Sequence, residues 1–114
     1  MPIRPVNERE LRRYMSRIAD RWEIARLLIG GARIDDARGV PPQRERGSEF
    51  RVVVVSASFD GVPWLERVFH AEALWDASEM GAPATLECFT PAEWERREQN
   101  VAAVAEFARD ALAV

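Results

Sequence analysis

Four consecutive valines stand at positions 52–55, inside the segment EFRVVVVS that spans residues 49–56. Valine is β-branched and favours strands, in which successive side chains point to opposite faces of the sheet. A strand with one solvated face would alternate apolar and polar residues, whereas this run is apolar at every position. The segment therefore predicts an interior strand of a sheet that is covered on both faces.

Two further segments have the length and composition of strands. IARLLIGGARI, residues 24–34, predicts a buried strand that ends at Gly30 and Gly31, and ATLECF, residues 84–89, predicts a third strand. The stretch between the first two strands is polar and rich in proline and glycine, and its adjacent prolines exclude a helix. Residues 35–48 are therefore predicted to form a flexible loop.

Two segments place apolar side chains at the three- and four-residue spacing of amphipathic helices. The first is residues 8–22, where Asn7 and Glu10 have the form of a capping box at the helix start. The second is residues 62–78, for which Asp60 is a candidate N-cap. Each helix has an apolar face with which to cover the sheet.

A third helix is marked by the residues of its first turn. In the string TPAE, Thr90 is the expected N-cap, Pro91 suits the first helical position, and Glu93 is the reciprocal acid of a capping box. The helical pattern continues over residues 91–112, and a bend is expected near residues 99–100.

The order of these elements fixes the expected fold class. A strand–helix–strand succession gives at least one parallel crossover in a covered sheet. A chain of 114 residues, 47% of them apolar, suits a single domain and is long enough to bury a core. We therefore predict an α/β (α+β) fold in which a small mixed sheet of three to four strands is flanked by helices.

Several classes of protein are disfavoured by the composition. No apolar run reaches the roughly 18 residues that a membrane span needs, and MPIRPVNERE lacks the apolar core of a signal peptide, so we expect a cytoplasmic protein. Cys88 and His70 are each the only residue of their type. An intrachain disulfide is therefore excluded and the usual four-ligand zinc site is not expected, while a carboxylate-bound metal stays open.

The basic residues are all arginine, which either reflects a GC-rich genome or serves phosphate recognition by guanidinium groups. Residues 1–51 hold 12 Arg and 8 acidic residues, and residues 52–114 hold 4 Arg and 11 acidic residues. This asymmetry permits an anionic ligand in the first half. The formal net charge of −3 argues against general nucleic-acid binding.

Three strings together carry a family resemblance: RLLIGGARIDDARG, SEFRVVVVSASFDGVPWLERVFHAEALW and ATLECFTPAEWERRE. They resemble the small nucleotidyltransferase domains of the DNA polymerase beta superfamily over about residues 10–98. The pieces FDGVPWLER and CFTPAEWERRE are the most specific. The resemblance implies a nucleotidyltransferase-like fold.

It also implies a chemistry based on metal ions. In that family three carboxylates hold two divalent cations, which neutralise a nucleoside triphosphate and orient an in-line attack. Two of the carboxylates stand two residues apart on one strand, so that they share a face, and the third comes from a neighbouring strand. A Gly-Ser turn grips the phosphates with its backbone N–H groups.

When the family motif is carried onto this sequence, most of its functional positions have changed. The serine position is occupied by Gly31, the first aspartate by Glu49, the second by Arg51 and the third by Thr85. At a separation of about 4 Å and an effective dielectric constant of about 20, a cation repels each like unit charge by about 4 kcal/mol, and a divalent ion doubles this. A two-metal site beside Arg51 is therefore disfavoured, and the site is predicted to be degenerate.

The remaining carboxylates leave several alternatives. Glu87 shares a strand face with the third ligand position, so Glu49 and Glu87 are weak catalytic candidates as a substitute pair. Alternatively, Glu49 or Glu87 forms a salt bridge with Arg51. Asp35 and Asp36 in the loop are a further candidate for metal ligation.

Two hypotheses follow for a domain of this kind. In the first, a catalytically inactive nucleotidyltransferase-like domain acts in ligand binding or protein interaction, and holds a nucleotide or phosphate without metal through Gly30, Gly31, Arg33 and Arg51. In the second, a divergent but active nucleotidyltransferase uses Mg²⁺ and a nucleoside triphosphate through Asp35, Asp36, Glu49 and Glu87.

A third hypothesis is a partner-binding module. Small members of the family that this chain resembles work as homodimers or beside a helical protein partner, as in toxin–antitoxin pairs. Trp64, Trp75 and Trp94 are many tryptophans for a small domain, and aromatic residues are enriched in the cores of interfaces. The alternative is that all three lie in the core. No membrane partner is expected.

Overall fold

A four-stranded mixed sheet with helices on both faces forms the body of the molecule, as the predicted fold class requires. A computed structural model describes residues 4–6, 8–34 and 50–114, and for 4–6 and 32–34 the backbone alone. The strands are β1 (Arg4–Val6), β2 (Ile24–Gly30), β3 (Ala32–Ile34), β4 (Phe50–Ser56), β5 (Ala84–Phe89) and β6 (Leu112–Ala113). The helices are α1 (Glu8–Arg21), α2 (Trp64–Ala73), α3 (Ala77–Met80), α4 (Pro91–Asn100) and α5 (Ala102–Asp110).

The main sheet has the strand order β5-β4-β2-β6. β4 and β5 are parallel and are connected through α2 and α3, which confirms the predicted crossover. β2 runs antiparallel to both β4 and β6. β1 and β3 form a separate two-stranded parallel pair.

The valines of β4 serve two separate cores. Val52 and Val54 pack among residues of α1, α2 and α3, whereas Val53 and Val55 pack with residues of α4 and α5 on the opposite face. All four are 0–1% exposed, which confirms the prediction of an interior strand covered on both sides. Burying a valine side chain contributes roughly 1.5 kcal/mol or more, so each face supplies part of the driving force for folding.

Several local predictions are confirmed. α1 ends within one residue of the predicted limit, and β5 spans the predicted residues. In the α4 capping box, the Thr90 hydroxyl accepts a hydrogen bond from Glu93 N at 3.2 Å and the Glu93 carboxylate accepts one from Thr90 N at 2.8 Å. Asn7 and the predicted loop 35–48 lie outside the described residues.

The prediction of one helix over residues 62–78 is wrong. α2 ends at Ala73, and α3 begins after Asp76, whose carboxylate accepts hydrogen bonds from Ser78 N and Glu79 N. A side chain that caps the next helix in this way competes with continuation of the preceding one. Asp60 does not cap α2, because the residue at that N-cap is Pro63.

The predicted helix over residues 91–112 is also divided. Val101 is extended, with φ −124° and ψ 107°, and separates α4 from α5 one residue beyond the expected bend. Leu112 lies in β6 and not in a helix, since it pairs with Ile29 of β2. Pairing with the edge of β2 therefore determines the structure at Leu112, although the sequence pattern there is helical.

None of the described helices combines the length and apolar character needed to cross a membrane.

Cys88 on β5 supplies a direct test of the packing. Its thiol is buried, and this burial raises its pKa to about 12, against the opposing effect of the nearby Arg67 guanidinium. At about pH 8 the thiolate fraction should be roughly three orders of magnitude below that of an exposed thiol. We expect a disulfide-exchange reagent such as Ellman's reagent to label the folded chain only as fast as it unfolds. Stoichiometric labelling of the native chain at the rate seen in denaturant would contradict this packing.

Candidate functional site

Three positions that the resemblance aligns with the family's Gly-Ser turn and second and third aspartates lie side by side across the sheet. In the strand register Gly30 of β2 is opposite Arg51 of β4, and Arg51 is opposite Thr85 of β5. Glu87 is two residues beyond Thr85 on the same strand and therefore projects from the same face. The structure thus brings together four candidate positions from three strands.

Arg51 and Glu87 form a two-pronged ion pair. Arg51 Nε donates to Glu87 Oε2 at 2.5 Å, and Arg51 Nη2 donates to Oε1 at 3.3 Å. Bidentate guanidinium–carboxylate pairs are both stronger and more directional than single hydrogen bonds. This confirms the alternative in which Glu87 makes a salt bridge with Arg51, and both Glu87 oxygens are occupied by that contact.

An aromatic ring from α5 covers this ion pair on its β2 side. Arg51 Cζ lies 4.4 Å from the centroid of the Phe107 ring, a cation–π distance. The same ring lies so close to Gly30 that an added Cβ would collide with Phe107 Cε2. Packing against Phe107 is therefore a structural reason for glycine at position 30.

Of the other residues predicted for the site, the structure describes some and not others. Gly31 has φ 79° in the turn that joins β2 to β3, a conformation that glycine adopts without strain. Arg33 lies on β3, where its backbone pairs with Pro5. Glu49 and the pair Asp35–Asp36 lie outside the described residues. Phosphate binding by Gly30, Gly31, Arg33 and Arg51 stays a prediction.

A groove of about 400 Å³ lies next to the Arg51–Glu87 pair. It runs between the start of α2, the end of β5 and the outer side of α4, and is lined by Trp64, Glu87, Phe89, Glu93, Arg96 and Arg97. Sequence reasoning gave no role to either arginine or to Phe107. Their only sequence signal is that Arg96 and Arg97 are adjacent cations in an otherwise acidic half of the chain.

The Glu93 carboxylate in this groove is held by two elements. It accepts hydrogen bonds from Thr90 N and, at 2.7 Å, from Arg67 Nη1. The hydrogen bond from the Thr90 backbone lowers the pKa of Glu93 most, and the hydrogen bond from the Arg67 side chain lowers it further. Arg67 is buried, and it also donates to the carbonyl oxygens of Val62 and Cys88.

α2 carries three large apolar side chains that the described chain leaves partly or mostly uncovered. Trp64 is 42% exposed, Leu65 79% and Phe69 70%. Leu65 and Phe69 are four residues apart and so are neighbours on the helix surface. We call these three residues the α2 patch. Trp94, by contrast, is a core residue, and Trp75 is half-buried with Nε1 bonded to the Ala82 carbonyl oxygen.

Among residues 8–34 and 50–114, no three or more His, Cys, Asp or Glu side chains form a group able to hold a metal ion. The described carboxylate nearest to the motif positions is Glu87, and Arg51 already neutralises it.

No match to this chain was found among models of protein families, curated proteins or solved structures. The resemblance to nucleotidyltransferases therefore stays a prediction from the sequence strings alone.

The contact between Gly30 and Phe107 can be tested with a double-mutant cycle. Gly30→Ala should lower the free energy of unfolding by about 1–3 kcal/mol, because the new methyl group must displace the Phe107 ring. In a Phe107→Ala background the same substitution should cost much less, since the colliding atoms are gone. Urea unfolding of the four proteins gives the coupling energy. Equal costs in both backgrounds would contradict the contact.

Proposed function

We propose that this chain is a catalytically inactive nucleotidyltransferase-like domain of the DNA polymerase beta type, which acts by binding a partner or ligand. The observation that carries the proposal is the contact of Arg51 with Glu87 and Phe107. Arg51 stands where the resemblance implies a metal-binding aspartate. Its charge is directed at the carboxylate that would otherwise be the closest substitute ligand.

Electrostatics supports this proposal. Mg²⁺ binds oxygen ligands in near-octahedral geometry, and both Glu87 oxygens already accept hydrogen bonds from Arg51. A divalent cation at Glu87 would have to displace the guanidinium and then remain within a few ångströms of it. At that range the repulsion is about 4 kcal/mol for each unit of charge, and among the described residues Glu87 belongs to no group of three or more His, Cys, Asp or Glu side chains that could offset it.

The active alternative depends on residues outside the described ranges. It needs Asp35, Asp36 or Glu49 to converge on Glu87 and to release it from Arg51. Measurement of metal binding and of catalysis separates the two hypotheses, because an inactive domain has neither a two-metal site nor metal-dependent transfer.

We expect the wild-type chain to transfer no labelled nucleotide from ATP or GTP above the level without Mg²⁺. Electron paramagnetic resonance measures the affinity of each variant for Mn²⁺. We expect Arg51→Asp to bind Mn²⁺ about tenfold or more tightly than Arg51→Asn, because only the aspartate adds a carboxylate beside Glu87. Circular dichroism would show that both variants remain folded. Metal-dependent transfer that disappears in Glu49→Ala would overturn the proposal in favour of the active enzyme.

The α2 patch favours protein interaction as the binding activity. α2 buries Ala71 against the sheet with Val68 packed beside it, yet it exposes Leu65 and Phe69 on the opposite side. A helix that is apolar on both sides is normally covered on both sides. Exposed clusters of large apolar residues mark interaction sites in soluble domains.

The charges around the patch indicate the chemistry of its partner. Glu66, Glu72 and Asp60 are exposed on or next to α2, whereas the helix's arginine, Arg67, is buried and paired with Glu93. The surroundings of Leu65 and Phe69 are therefore acidic. The complementary partner is an amphipathic helix with apolar anchors one turn apart, bordered by Lys or Arg.

A pair of synthetic helical peptides tests this partner chemistry. A peptide with leucines at helical spacing and lysines beside them should bind about tenfold or more tightly than the same peptide with glutamates. Leu65→Ser and Phe69→Ser should abolish binding, whereas Ala103→Ser, at an exposed position on α5, should not. Equal affinity for both peptides would contradict the proposed chemistry. So would sedimentation showing a dimer that Leu65→Ser dissociates, since the patch would then be occupied by a second copy.

A further inference from the structure

The groove beside α4 has a charge balance that differs from that of the whole chain. Of the four arginines in residues 52–114, three belong to the groove or pair with one of its acids: Arg67, Arg96 and Arg97. The same half of the chain holds 11 acidic residues. Basic charge is therefore concentrated at this one place in the acidic half.

The two carboxylates that line the groove are already neutralised. Glu87 is paired with Arg51 at 2.5 Å, and Glu93 is paired with Arg67 at 2.7 Å. Arg96 and Arg97 are exposed, and in the part of the chain that the structure describes neither has an acidic partner. The groove therefore presents two uncompensated guanidinium groups, which suit an oxyanion.

The opposite wall of the groove is aromatic and held in place. The Trp64 ring lies 5.2 Å from the Phe89 ring, and Phe89 lies 5.5 Å from the buried Trp94. Arg97 Cζ lies 5.3 Å from the Phe89 ring centroid, so the cationic and aromatic walls meet at Phe89. Trp64 keeps 42% of its surface exposed and is available to a flat group. A volume of about 400 Å³ accommodates a small molecule.

We propose that this groove binds a small anion that carries a planar aromatic ring, with its carboxylate or phosphate group held by Arg96 and Arg97 and its ring packed against Trp64. The proposal shares the Arg51–Glu87 ion pair with the inactive-domain hypothesis, but its ligand contacts use neither a metal nor the Gly30–Gly31 turn. It is also separate from the α2 patch test, which changes Leu65 and Phe69 but leaves Trp64 in place.

Four probes separate the two halves of the ligand. Phenyl phosphate and benzoate carry both an anion and a ring, inorganic phosphate carries the anion alone, and cyclohexanecarboxylate replaces the flat ring by a puckered one. In calorimetric titrations of the full chain at low salt, the aromatic probes should bind about tenfold more tightly than their ringless or puckered counterparts. The stronger of the two aromatic probes identifies whether the oxyanion is phosphate or carboxylate.

Single substitutions assign the contacts. Arg96→Gln and Arg97→Gln should each weaken the aromatic probes by about tenfold, and raising the salt from about 50 to about 300 mM should weaken binding in the wild type. Trp64→Leu should remove the preference for aromatic over puckered probes and leave phosphate affinity in place. Arg109→Gln is the matched control, because it removes an exposed arginine from the same acidic half but outside the groove.

Three results would overturn the proposal. They are the absence of binding for every probe, equal affinity for aromatic and puckered probes, and an effect of Arg109→Gln as large as that of Arg96→Gln. The last would show that the probes respond to net charge and not to the groove. Thermal melting of each variant establishes that the fold is intact, and all four substituted residues are exposed, so the fold should tolerate the changes.

Discussion

Burial of β4 on both faces is the constraint from which the other features of this molecule follow. Its valines need helices above and below the sheet, so α1, α2 and α3 cover one face while α4 and α5 cover the other. The second face also carries Arg51, Glu87 and Gly30. The helices that complete the core thus bring Phe107 over Arg51 and Gly30.

Individual arginines also neutralise acids beside β5. Arg67 is 8% exposed, so its charge is removed from water and must be satisfied within the protein. It bonds to Glu93 of α4, to the Cys88 carbonyl oxygen of β5 and to the Val62 carbonyl oxygen before α2. One side chain therefore connects three segments. Arg51 does the same on a smaller scale for β4, β5 and α5.

Features of the fold that depend on nearby residues, or on the spacing of apolar residues along a strand or helix, were predictable from sequence. Features that depend on residues far apart in the chain were not. The two-faced strand, the parallel crossover and the Thr90 capping box are each encoded within a few residues. The pairing of Arg51 with Glu87 was foreseen as one alternative, because strand periodicity places both on one face. The helix end at Leu112 was missed, since only the free edge of β2 makes it a strand.

The candidate site illustrates the same limit. From the sequence, Gly30 is predicted only as a candidate for phosphate binding, whereas its close contact with Phe107 depends on a helix that lies more than 70 residues further along the chain. The groove could not be predicted from the sequence either, because Trp64 comes close to Arg96 and Arg97 only when α2 and α4 pack around β5. Charge counting located the acidic half of the chain but could not show which acids were already neutralised.

The pairing of Ile29 with Leu112 has a consequence for how the chain acquires this structure. The two residues are separated by more than 80 positions, and the Gly30–Phe107 contact spans nearly as many. Contacts of such long range carry a large loop-closure cost and form slowly. During synthesis on the ribosome, Val53 and Val55 would emerge well before the helices that shield them. During that interval the nascent chain exposes an aggregation-prone apolar surface. The yield of folded protein in the cell should therefore depend on chaperones that cover this surface until α4, α5 and β6 have been translated.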